Sequence, residues 1–346
     1  MGRKGKTTER QQTRKSAKPP QVEYAIRPLT GPPKGYPRAR VPDAYSPEPF
    51  KKSYRERKKA FIEHCLRNPS STFMKGYYYE LARLYAGKGP VHEGFLLGAL
   101  DYIDERLDCA DFVMLGIVRL LYQFPRSPLV SETVKRRAGE SLLAFKYWPD
   151  EPGIDSLCTW TENHQIMYSA NEYLAGALYP DLVFSNSGMT GLEKMERARR
   201  RITQWLDLRF KTGFSEWLSH VYYDEDITAL VNLVDFAPDP FITREAEIVL
   251  DLLFADMALN SLRGAFGSSH GRSYMKEKKS ALHEATADTS KLLFGTGIFA
   301  GADNMGAVAL ALSPSYRLPR VIREIALDEG PFLNRQRMGI NVREAA

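Results

Sequence analysis

Beyond residue 50, apolar positions recur at three- and four-residue steps in helix-length stretches, and short breaks separate them. This periodicity predicts helices over about 53–67, 72–87, 92–107, 110–124, 131–146, 162–178, 190–211, 224–236, 243–263, 274–287, 303–312 and 318–327. In 190–211, Leu192, Met195, Ala198, Ile202, Trp205, Leu206 and Phe210 make one stripe, while Glu193, Glu196, Arg197, Arg200, Asp207 and Lys211 fall elsewhere. Thr190 with Glu193 fits a capping box at its start. Residues 110–124 are apolar nearly all round, which suits a helix enclosed by other helices, and Pro125 ends the run. With almost no sustained period-two alternation, the expected fold is an all-α array of antiparallel helix pairs. No sequence period of the solenoid kind recurs.

The first 50 residues break this pattern. They are basic, then proline-rich, and read as an extended or disordered arm. Residues 1–40 hold eleven Lys/Arg against Glu9 and Glu23, a local charge of +9 in a chain of net +6, so the remainder carries −3. A nucleic-acid role therefore attaches to the arm alone. Residues 51–330 form the expected helical domain, and 331–346 read as a C-terminal tail at the start of a further domain. The composition, 43% hydrophobic and 26% charged, excludes a collagen, a mainly disordered chain and a disulfide mini-scaffold. Cys65, Cys109 and Cys158 are odd in number and far apart, as buried thiols of a reducing compartment would be. No export signal or membrane-length apolar run is visible, so a cytoplasmic protein with no membrane partner is expected, with secretion as the open alternative.

Chemistry-bearing residues gather in three stretches. Residues 159–165 place Trp160, Glu162, Asn163 and His164 at a loop-to-helix junction, where they act either as first-turn residues or as groups facing a cleft. Residues 213–226 follow the helix stop Gly213 with Glu216, Trp217, His220, Tyr222, Tyr223, Asp224, Glu225 and Asp226. There the tyrosines suit proton exchange and Trp217 suits stacking on a sugar, while the acids can simply open the next helix. Residues 263–276 form a glycine-rich link presenting His270, Arg272 and Tyr274, with Arg272 suited to an anionic group. Within it, 267–271 formally matches a nucleophile elbow, but no strand precedes it and no suitable later acid and histidine follow. No metal-binding, Walker A or dinucleotide motif is present, so neither metal nor cofactor is expected.

The helical array together with Trp160, Glu162, Asn163 and His164, the Tyr222–Tyr223 pair and Gly271 to Tyr274 resembles the (α/α) toroid carbohydrate-active enzymes. Over about residues 55–325 the chain looks most like polysaccharide lyases of the alginate lyase, chondroitin lyase and heparinase II/III kind. The resemblance implies a complete or incomplete toroid and β-elimination on a uronate-containing polysaccharide. It implies Asn163 and Arg272 as neutralisers of the uronate carboxylate, with His164 and Tyr222, Tyr223 or Tyr274 as base and acid. Trp160, Glu216, Trp217, His220 and His270 would then contact substrate. The tyrosine needs a lowered pKa, which a nearby Arg272 would supply.

Glu162 stands where those lyases often carry a second asparagine. It keeps open a glycoside hydrolase pairing Glu162 with Glu216, Asp224 or Asp226. A third class is a non-enzymatic scaffold that binds a glycan or a protein.

Overall fold

The computed structural model describes residues 31–71, 74–299 and 305–339. Among these the fold is helical apart from one two-residue hairpin. The basic segment 1–30 lies outside the described residues. The helices are α1 (Tyr54–Arg67), α2 (Tyr78–Ala86), α3 (Glu93–Asp104), α4 (Ala110–Gln123), α5 (Glu132–Ala144), α6 (Glu162–Leu178) and α7 (Gly191–Thr212). They continue with α8 (Tyr223–Phe236), α9 (Pro240–Leu259), α10 (Met275–Lys279), α11 (Ala287–Leu293), α12 (Met305–Leu312) and α13 (Arg320–Ala326). None is long and apolar enough to cross a membrane.

Local chemistry sets the boundaries. Both halves of the Thr190–Glu193 capping box form, and Ser53 with Glu56 makes a second one on α1. The ninth helix starts three residues earlier than the periodicity implied, because Asp239 caps it and Pro240 supplies a ready-made first turn. It ends at Leu259, and the strands Ser261–Leu262 and Ala265–Phe266 turn through Arg263 and Gly264, both at positive φ. The expected helix 274–287 is a correction. It breaks into α10 and a 3-10 turn, Ala281–His283, because Ser280 is extended and its hydroxyl caps Leu282. Helix α11 then follows, although it was not predicted. It buries Asp288, Thr289, Ser290 and Lys291 along with its apolar residues, so no amphipathic stripe marks it.

Among the described residues six helices are buried along most of their length, and five of them form a circuit: α2 packs on α4, α4 on α6, α6 on α8, α8 on α12, and α12 back on α2, with α11 against α1 and α12. Outside it, α1 packs on α2, α3 on α4, α7 on α6 and α9 on α8. The outer helix α7 keeps a polar exposed face, whereas α4 and α12 have almost none.

The arm needs revision where it is described. Residues 31–50 are extended as expected, but they are strapped to the body. Tyr36 is buried and donates to Glu80 (2.6 Å), Asp43 pairs with Lys291 (2.6 Å), and Ser46 and Phe50 bond to the backbone of Gly297 and Gly295. The tail is also tied down: Gly339 N–H donates to Thr212 (2.7 Å) and Gln336 donates to Asp256 (2.5 Å). Proline content marked the strap as non-helical, but its anchors are single polar contacts without a period.

Candidate functional site

A cleft of about 440 Å³ opens where the segment entering α2 and the first turns of α4, α6 and α8 meet the link before α10. His164, Glu216, Tyr222, Arg272 and Tyr274, drawn from all three candidate stretches, line it together. Lys75, Asp108, Cys109, Phe112, Cys158, Glu225 and Glu277 complete much of the wall. The inner helices thus aim N-terminal ends at one space, and their partial positive charge helps to hold the carboxylates that the chain itself places there, Asp108, Glu216 and Glu225 among them.

His164 is held rigidly. Its Nδ1 lies 2.6 Å from Oδ2 of the fully buried Asp111, and its ring stacks on Phe112 at 5.2 Å. Burial opposes charge on the imidazole, but the Asp111 carboxylate, with help from Asp108 and Glu225, wins and raises its pKa. Burial also raises the Asp111 carboxyl, against the pull of His164. With Nδ1 committed to Asp111, Nε2 is the nitrogen left for chemistry.

On the opposite wall the Tyr222 and Tyr274 hydroxyls are 2.5 Å apart, and Arg272 donates to Tyr274 (3.1 Å) while lying over both rings. The expected lowering of the tyrosine pKa is not found. Burial, then Tyr274, pushes the Tyr222 phenol far above its usual range and outweighs Arg272. Tyr222 is therefore a proton holder and not a ready phenolate. Burial, then Glu225, raises the Glu216 carboxyl, and Glu225 forms a buried ion pair with Lys75.

Several expected site residues are built into the scaffold instead. Glu162 is only 5% exposed. Its oxygens accept from Ser215 N and Oγ (both 2.5 Å) and Glu216 N (3.3 Å), and it ion-pairs with Arg209, so it anchors the loop to α6 instead of facing the cleft. Asn163 is fully buried, accepts from Thr161 (2.6 Å) and does not line the cleft. Tyr223 belongs to the core, where it accepts from Leu218 N (3.2 Å) and donates to Asp256 (3.4 Å). Asp224 accepts from Gly306 N (2.9 Å) and joins α8 to α12. Asp226 is buried away from the cleft with both oxygens unpartnered, and burial raises its carboxyl well above the usual range.

Trp160, 75% exposed, lies outside the cleft. Trp217 and the two histidines act one step removed. Gly271 N–H donates to Trp217 O (2.8 Å), and a Cβ at Gly271 would sit 3.0 Å from the Trp217 side chain. His220 and His270 stack at 3.6 Å, with His270 Nδ1 2.5 Å from Leu218 O and His220 3.3 Å from Glu284. These contacts pin the loop that presents Arg272.

Asp108, Cys109 and His164 bring a carboxylate oxygen, a thiol and a ring nitrogen within 4.8 Å of one another. These side chains could hold a metal ion, which the expectation of no metal site overlooked because they come from two distant stretches. Asp111 was also missed, although an acid inside a segment apolar nearly all round is itself a signal of a buried partner. Compared with protein-family models, curated proteins and solved structures, the chain matches none.

Proposed function

We propose that the protein is a polysaccharide lyase that cleaves a uronate-containing glycan by β-elimination, on an incomplete (α/α) toroid whose inner ring is α2, α4, α6, α8 and α12. The observation that carries this reading is the meeting, in one cleft, of a carboxylate-oriented histidine, a hydrogen-bonded tyrosine pair and an arginine. In this account Arg272 takes the uronate carboxylate and stabilises the charge that develops when the C5 proton leaves. Nε2 of His164 accepts that proton, and Asp111 stabilises the imidazolium that forms. The C4–O4 bond breaks as the C4=C5 double bond forms, and Tyr222 gives its proton to the departing oxygen. Tyr274, bonded to Tyr222, relays the replacement. The raised Tyr222 pKa keeps that phenol protonated, as a proton donor must be, and the raised basicity of His164 suits a base.

Asn163 is removed from the set, and no other amide replaces it among the cleft residues. The hydrolase alternative loses Glu162, Asp224 and Asp226 to structural positions and keeps only Glu216 of its expected carboxylates in the cleft. A panel of uronate polysaccharides distinguishes the classes. β-Elimination gives new reducing ends and far-ultraviolet absorbance in step, with the rate falling about 10²–10⁴-fold in Tyr222→Phe. Reducing ends without that absorbance would establish hydrolysis instead. Glycan binding without turnover would indicate a scaffold.

A further inference from the structure

We infer that the cleft contains a site for one zinc-class divalent ion, ligated by His164 Nε2, the Cys109 thiolate and the Asp108 carboxylate, with its fourth position open to the cleft. A ring nitrogen of His164, the Cys109 sulfur and an Asp108 carboxylate oxygen lie within 4.8 Å of one another, and with Nδ1 bonded to Asp111 the role of ligand passes to Nε2. That spacing is in reach of the one set by metal–ligand bonds of about 2.0–2.3 Å, and the exposed Asp108 can swing to close the difference. Imidazole, thiolate and carboxylate together suit zinc or cobalt more than calcium or magnesium, which take oxygen ligands.

The second shell is already in place. Asp111, fully buried, holds Nδ1 of His164 at 2.6 Å and so fixes the ring and leaves Nε2 for the ion. The other Asp111 oxygen has no partner, so its acceptance is concentrated on that ring. Cys109 stands at the N-terminus of α4 with φ +66°, a backbone state rare for a residue with a side chain, and this turn delivers its sulfur beside His164. Binding releases the Cys109 thiol proton to solvent.

The ion's presence rests on this geometry alone. Its consequence rests on the elimination reading: an ion on Nε2 takes the lone pair that accepts the C5 proton, so the metal-loaded chain is the non-eliminating form.

Cobalt(II) added to the full chain is the probe. A thiolate-to-cobalt charge-transfer band should grow and saturate at one ion per chain, and zinc should displace it. The band should vanish in Cys109→Ser, and Asp111→Asn should weaken binding about 10–100-fold. Asp108→Asn alters an exposed side chain, so it keeps the test alive if the buried variants misfold, and it should also weaken binding. No band at saturating cobalt, a band undiminished in Cys109→Ser, or unchanged affinity in Asp108→Asn would overturn the site. The spectrum involves no glycan, so its failure leaves the elimination reading standing, and absence of product leaves the metal site standing.

Discussion

Two clusters of buried charge flank α6, one along its packing with α7 and one at its first turn, and they differ in how completely they are paired. Against α7, Glu151 and Glu172 meet Lys194, Arg197 and Arg201. Lys194 contacts both acids, and Arg197 reaches both as well. No buried polar atom of these five side chains lacks a partner. Toward the cleft, Asp111 Oδ1, Glu216 Oε2 and Glu225 Oε2 are buried without one. The first cluster is complete by itself and fastens an outer helix to an inner one. The second is held only in part, by helix N-termini and single partners, and that is the state expected of a site whose partners arrive with a ligand.

The largest effect should come from breaking the complete cluster. Lys194→Ala removes the one fully buried cation and leaves Glu151 and Glu172 to Arg197 and Arg201 alone, which should lower the unfolding free energy by about 3 kcal/mol in denaturant titrations. Glu216→Gln, in the incomplete cluster, should leave stability unchanged or raise it, because burial already favours the neutral form. Equal losses in the two variants would erase the distinction.

Next comes pH. Asp256, beneath Tyr223, has its carboxyl raised to about 6, by burial first, against donors Gln336 and Tyr223. A carboxyl raised on folding contributes stability below its unfolded value and loses it as pH climbs through the folded one. Stability should therefore fall by up to about 3 kcal/mol between about pH 4 and 6, and Asp256→Asn should flatten that slope. An unchanged slope in the variant would place the titration elsewhere.

The strap gives the smallest effect. Tyr36→Phe removes a donor to Glu80 and an acceptor for Ser70 N (2.9 Å), and should cost about 1–2 kcal/mol. A neutral outcome in thermal unfolding would mean that residues 31–50 are tied down by their other contacts.

Legibility in the sequence followed the same division. Helices with one apolar stripe and a cap, such as α7, were read nearly to the residue, whereas α11, with polar and apolar residues buried together, was invisible. The three stretches did meet at one place. Within them, though, residue type could not separate His164 from Asn163, or Tyr222 from Tyr223, because adjacent first-turn positions point about 100° apart, one to the cleft and one to the core. Glu162 was misread for the same reason: a carboxylate at a helix start serves an anchoring arginine as readily as a substrate. Asp108, Cys109 and Lys75 lay in segments read only for packing, and only the tertiary fold brings them to the cleft.

The central claim is that Nε2 of His164, aimed by Asp111, is the proton acceptor of an elimination, and His164→Asn tests it most directly. The asparagine amide can replace the Nδ1 donor to Asp111 while offering nothing at the position of Nε2. Assayed on the uronate polysaccharide that the unaltered protein cleaves, with unfolding measured in parallel, the variant should lose about 10²–10⁴-fold of its far-ultraviolet product rate and keep its stability within about 1 kcal/mol. An undiminished rate, or no such product from any uronate polymer with the unaltered protein, would contradict it.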